Sequence, residues 1–163
     1  MLKSSRSWLM AGMLAIALPA GAADWALRVD GAGPLKIGMR FDTVNQVLGT
    51  QMQRVPRELR PRANCFQLEA PAQPGLLLMF VDDRLQRIDA TGAGVVSDRG
   101  IALGDPVDKV RRSYGEALRT EDRWLTVRTG GDQYAIRFET SDGKVDSMYA
   151  GAWQDVRMEE GCL

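Results

Sequence analysis

The adjacent carboxylates Asp82-Asp83 and Glu159-Glu160, the cysteines Cys65 and Cys162, and four arginines in one stretch, Arg54, Arg57, Arg60 and Arg62, are residues of this 163-residue chain whose types and spacing could do chemistry. A carboxylate pair can act across a glycosidic bond when its members stand about 5–10 Å apart on a cleft wall. Asp82-Asp83 reads instead as a hairpin turn and Glu159-Glu160 as part of a tail. The arginine stretch contains Pro56 and Pro61. Its alternatives are an anion-binding loop and a solvated connector, and the mixture of prolines with polar residues favours the connector. The chain has no histidine, which removes imidazole acid–base chemistry, His-containing triads and His metal sites. Two cysteines far apart make neither a CxxC redox motif nor a Cys₄ zinc site. No catalytic set, metal site or cofactor is expected, and the chain reads as a non-enzyme.

The first residues decide how the cysteines are read. Lys3 and Arg6 precede an apolar run from Trp8 to Leu18, Pro19 breaks it, and Ala20-Gly21-Ala22 forms an A-x-A cleavage signal. Residues 1–22 are therefore expected to be a secretory signal peptide. The run is shorter than the roughly 20 residues of a membrane span, so no span is expected after cleavage. No cysteine lies near the cleavage site to carry a lipid. A periplasmic or secreted protein sits in an oxidising compartment, where two cysteines most simply form one disulfide. Cys65–Cys162 would staple the C-terminal tail to the first half of the chain. A free thiol at Cys162 is the alternative.

Composition sets the remaining bounds. Apolar residues make 45% of the chain and charged residues 26%, an ordinary globular balance. Basic and acidic residues number 21 each, and removing Lys3 and Arg6 leaves the chain slightly acidic. Nucleic acid is therefore not an expected partner.

The elements that position these residues show a repeated spacing. Leu35 to Gly49 and Ile101 to Gly115 share one register: Gly38 and Gly104 each stand six residues before a valine, Val44 and Val110, and eleven before a second glycine, Gly49 and Gly115. Phe41, Val44, Val47 and Leu48 form a helical stripe, as do Val107, Val110 and Tyr114. Asp105-Pro106 suits a helix start. Gly49 and Gly115 suit a C-terminal αL position. Neither copy has the glycine spacing or the Lys-Ser/Thr pair of a phosphate loop.

Strands are expected at 63–69, 76–81, 85–91, 123–129, 133–139 and 145–151, with Asp142-Gly143 a strong hairpin signal. The expected fold is α+β: two tandem helix-plus-antiparallel-strand repeats, 23–92 and 93–163, forming one curved antiparallel sheet with the helices on one face. The other face would be open. Alternation assigns Trp124, Thr126 and Arg128 to it, opposite Leu125 and Val127, and Arg137 likewise, between Ile136 and Phe138. A tryptophan beside arginines is the composition that binding hot spots favour. Alternatively, Trp124 packs on Trp153.

With its leader, its tandem apolar-x-x-Gly-x5-Val-x4-Gly motifs and the strands after each, the chain resembles the beta-lactamase inhibitory protein type of fold. The motif Ile37-Gly38-Met39 followed by Val44 and Leu48-Gly49 is also similar to that of the small lipoprotein of the outer-membrane assembly machinery. The resemblance implies a concave sheet that grips a partner protein. The expected function is an exported protein-binding module, an inhibitor or envelope-assembly accessory, whose partner is another envelope or extracellular protein. A small-ligand carrier, binding between the repeats with Arg128 or Arg137 as charged contact, is the alternative.

Overall fold

The computed structural model describes residues 25–129 and 131–162; the signal peptide expected at 1–22 lies outside them. Three two-residue strands, β1 (Leu27–Arg28), β2 (Gly31–Ala32) and β3 (Leu35–Lys36), make a small antiparallel sheet. Helix α1 (Phe41–Leu48) leads, through a looped connector, to β4 (Cys65–Glu69), β5 (Leu76–Val81) and β6 (Arg84–Ala90). Helix α2 (Val107–Tyr114) precedes β7 (Leu118–Glu121), β8 (Trp124–Thr129), β9 (Tyr134–Ser141) and β10 (Lys144–Ala152), and a single turn, α3 (Trp153–Val156), follows. Strands β4–β10 form one seven-stranded antiparallel sheet in the order β4-β5-β6-β10-β9-β8-β7. Among the described residues no helix is long and apolar enough to cross a membrane.

The expected α+β fold of two tandem helix-plus-strand repeats is corrected. The protein is mostly β, with two sheets rather than one, and it has no repeating helix–strand pattern. The physical reason lies in the helices. Each has only eight residues; α1 buries Phe41 and Val44, and α2 buries Val110 alone. Helices so small plug the sheet and do not form a layer against it. The elements around them also differ. Three strands follow α1 and four follow α2, and among the described residues α2 has no counterpart of the β1–β3 sheet before it. Strand β7 escapes the sequence reading because Leu118-Arg119-Thr120-Glu121 lacks alternation, as an exposed edge strand can.

Turn chemistry sets the hairpins. Asp82 and Asp83 both adopt positive φ, 49° and 60°, as do Asp142 and Gly143 at 49° and 73°. These are the left-handed central positions of a two-residue hairpin, which aspartate tolerates better than most residues. Gly49 ends α1 in αL, its N–H donating to the Asn45 and Gln46 carbonyls.

One face of the large sheet carries the main core. Phe41, Phe66 and Phe80 meet with ring centroids 5.2–5.6 Å apart, and Ile88, Ile136, Phe138 and Met148 continue the layer.

Asp105 departs from its expected role. No side chain caps α2. The Asp105 carboxylate instead accepts from the Ala102 N–H at 2.7 Å and from Lys109 Nζ at 2.6 Å, closing the turn before the helix. The Lys109 ammonium, then the Ala102 N–H, hold its pKa below the ordinary 3.8. A depressed carboxylate stabilises the fold above its unfolded value and loses that contribution as pH falls through the folded value. Asp105→Asn is therefore expected to cost roughly 1 kcal/mol at pH 7. The deficit closes as pH drops below about 3.8. Urea melts across pH 2.5–7 check it; a deficit constant with pH would refute the ion-pair account.

Candidate functional site

The second face of the sheet carries the site, and strand alternation assembles it. Trp124, Thr126 and Arg128 point to this side from β8, Ala135, Arg137 and Glu139 from β9, and Tyr149 from β10. From β6 come Arg87 and Asp89, two residues apart and so on one face. Register sets Thr126 opposite Arg137, Arg137 opposite Tyr149, and Tyr149 opposite Asp89.

This face is not open, which corrects the expectation for Trp124, Thr126 and Arg137. They are only 7%, 3% and 6% exposed. Arg128 keeps about a third of its side chain in solvent, at 31%. The cover is the chain's own C-terminal segment. Helix α3 turns back onto β9 and β10, and Val156, fully buried, joins Trp124, Ala135 and Tyr149 in one apolar cluster that Trp153 borders. Gly151 of β10 gives close backbone approach where it pairs with β6. A Cβ there would stand 2.1 Å from the Gln86 carbonyl oxygen.

Beyond α3 the segment runs to the disulfide between Cys65 and Cys162, which the sequence anticipates, with Cα atoms 5.4 Å apart. Met79, almost fully buried, packs against the bridge with Val81. That contact explains the apolar run of β5: its second face lies beneath the bridged tail.

Three arginines hold the segment by its backbone. Arg87 donates to the carbonyls of Asp155, Met158 and Glu159. Arg137 donates to the Arg157 carbonyl at 2.8 Å. Arg62 donates to the carbonyls of Gly161 and Cys162. Ring faces hold two of these arginines, Arg87 and Arg137, and Arg128 beside them. Arg137 lies 3.9 Å over Trp124, Arg87 4.1 Å over Tyr149, and Arg128 3.7 Å over Trp153.

Charge under the segment is unevenly satisfied. Arg87, 3% exposed, grips Asp89 in bidentate fashion, Nε–Oδ1 2.6 Å and a second bond of 3.0 Å. Burial pushes the Asp89 carboxyl above its ordinary value, with Arg87 opposing. Burial likewise pulls the Arg137 guanidinium down and pushes the Tyr149 phenol up, Glu139 adding to the latter. Thr126 Oγ1, Arg137 Nε, Tyr149 Oη and Asp155 Oδ2 are buried without a hydrogen-bond partner among the described residues. Two clefts border this face: one of about 340 Å³ is lined by Arg87, Asp89, Glu139, Tyr149 and Glu159, the other of about 370 Å³ by Arg119, Glu121, Arg128 and Asp132.

No family model matches this chain. No curated protein matches it either. Among solved structures it is similar to the uncharacterized protein yfeY from Escherichia coli, at 13% identity and a TM-score of 0.43 over 77% of this chain and 99% of that one. A likeness of that degree carries no argument about fold or function.

The remaining candidates are placed as follows. Asp82-Asp83 forms the β5–β6 hairpin turn, and Asp83 pairs with Arg54 at 2.9 Å. Glu159 pairs with Arg123 at 2.8 Å. Of the connector arginines, Arg54 lies over Phe41, Arg60 over Phe66, and Arg62 reaches the tail. Among the described residues no group of His, Cys, Asp or Glu is arranged to hold a metal. Sequence reasoning overlooked Arg87, Asp89 and Tyr149. The signal for the first two is visible in the strand itself: an arginine and an aspartate two apart on either side of Ile88 share a face and can pair.

Proposed function

We propose that this protein is an exported polypeptide-binding module, and that a partner's segment binds across the second sheet face in place of residues 153–162. The observation that carries this reading is how that segment is held. Six of its backbone carbonyls, those of residues 155, 157, 158, 159, 161 and 162, accept from Arg62, Arg87 and Arg137. The side chains of Arg157, Met158, Glu159 and Glu160 face solvent. Recognition through carbonyls is largely indifferent to side-chain identity, so a foreign segment can use the same donors. Tryptophan and arginine beneath it are the residue types that dominate binding energy. The Cys65–Cys162 bridge supports a periplasmic or secreted setting.

The test supplies the segment in trans. A fluorescein-labelled peptide of residues 153–162, with Ser for Cys162, is titrated into the full chain with its disulfide intact and reduced. A tethered segment competes at an effective concentration on the order of millimolar. The reduced protein is expected to bind at least tenfold more tightly, and Trp124→Ala/Arg137→Ala to lose binding while retaining sheet circular dichroism. No binding in either state would sink the proposal.

A small-ligand carrier is the second reading. The cleft of about 340 Å³ lies where β6 and β10 pair, and its size suits a small molecule. Native mass spectrometry of freshly isolated protein decides between them: an added mass below about 1 kDa retained on the folded chain favours the carrier.

A further inference from the structure

The covering segment leaves part of the face unused. Arg87 is engaged by Asp89 and three carbonyls, whereas the adjacent cross-strand row meets the segment's backbone, among the described residues, through one bond, from Arg137 to the Arg157 carbonyl. Thr126, Arg137 and Tyr149 stand directly opposite one another on β8, β9 and β10, each more than nine-tenths buried. Their Oγ1, Nε and Oη atoms lack hydrogen-bond partners among the described residues. Arg137 also makes no ion pair among them. Glu139 and Glu159, whose charge reaches it, are held by Arg123 at 3.2 and 2.8 Å, and Glu121 stands on exposed β7.

A buried guanidinium without an anion is costly, and orphaned donors beside it add to the cost. A guanidinium N–H, a phenol and a hydroxyl can all donate, and together they match the two oxygens of a carboxylate. Of the covering segment, Val156 packs against Tyr149 of this row, together with Trp124 and Ala135, and its side chain can accept nothing. We infer that the partner's segment carries an aspartate or glutamate side chain where Val156 sits, received by Arg137, Thr126 and Tyr149. This rests on the peptide-binding reading above. On this account the protein's own segment is an incomplete ligand: its backbone and apolar contacts match, but its one nearby carboxylate, Asp155, leaves Oδ2 without a partner among the described residues, so an acidic side chain at the next position can displace it.

The test compares three labelled peptides on the reduced full chain: the 153–162 sequence with Ser for Cys162, and the same peptide with Val156→Glu or Val156→Gln. The glutamate peptide is expected to bind about tenfold more tightly than the glutamine peptide, the scale of one charge-assisted hydrogen bond. Arg137→Met should weaken both peptides through the lost bond to the Arg157 carbonyl, but should weaken the glutamate peptide about tenfold more, so that the ratio disappears. In the intact full chain, Val156→Glu should melt above Val156→Gln, again only with Arg137 present. If the unaltered peptide binds but glutamate gives no advantage over glutamine, the carboxylate inference is overturned and the peptide-binding reading stands. If none of the peptides binds, both fall. If free N-acetylglutamate amide competes as well as the glutamate peptide, the occupant is a small carboxylate and the assignment to a polypeptide is overturned.

Discussion

Arg87→Met is expected to remove roughly 3–5 kcal/mol of stability, the scale for breaking a buried ion pair from one side. The substitution keeps most of the side-chain volume but leaves Asp89, 9% exposed, without its bidentate partner. It also strips the donor from the carbonyls of Asp155, Met158 and Glu159, so the C-terminal segment loosens with it. Two features separate this account from a general packing defect. Arg87→Met/Asp89→Leu should recover much of the loss, because no unpaired charge remains buried. The single variant should also be pH-dependent. A carboxyl whose folded pKa lies above its unfolded value binds protons preferentially in the folded state, so stability rises as pH falls toward 3.8. Chemical denaturation at pH 4.5 and 8 reads both. A deficit independent of pH and not rescued by Asp89→Leu would overturn the ion-pair account.

Cys65→Ser/Cys162→Ser should have a comparable effect by a different route. The bridge closes 97 residues, and on the chain-entropy account a loop near that size stabilises by about 4–5 kcal/mol. The loss should appear in two stages. Residues 153–162 are expected to release first, exposing Trp124 and Trp153 and shifting their emission to the red at temperatures where the sheet signal is intact. The main core lies on the opposite face and does not include the bridge. Loss of stability in a single step, with tryptophan emission unchanged until the sheet melts, would mean that the segment is integral to the fold. The proposal of a displaceable self-segment would then fail.

Several local features were legible in the sequence because their causes are local. The strand expected at 76–81 is β5, Leu76–Val81. Asp142-Gly143 turns its hairpin with both residues at positive φ, and Gly49 stops α1 in αL. Alternation assigned Trp124, Thr126, Arg128 and Arg137 to the face opposite Leu125, Val127, Ile136 and Phe138. The exposure of that face was misread for a definite reason. Periodicity tells which residues share a side of a strand, but it is silent about what later lies against that side. Ahead of its bridged end, Trp153 to Cys162 has only Val156, at the end of α3, as a fully buried apolar residue, too little pattern to announce a cover. The glycine-valine-glycine spacing misled in the same way. It marks two short helices correctly, but nothing in it counts the strands that follow or reveals the β1–β3 sheet.

Strand alternation and the aspartate and glycine turns are written in the residues themselves, as matters of backbone sterics and side-chain period, and the count of two cysteines makes their pairing the simplest expectation. The packed fold is needed to see that β6 pairs with β10, that a covering peptide lies over the Arg87–Asp89 pair, and that Arg62, Arg87 and Arg137 converge on carbonyls. The arginine–carbonyl contacts join residues 20 to 100 positions apart in the chain. Which of them form depends on the free energy of the whole packed sheet and not on any window of sequence.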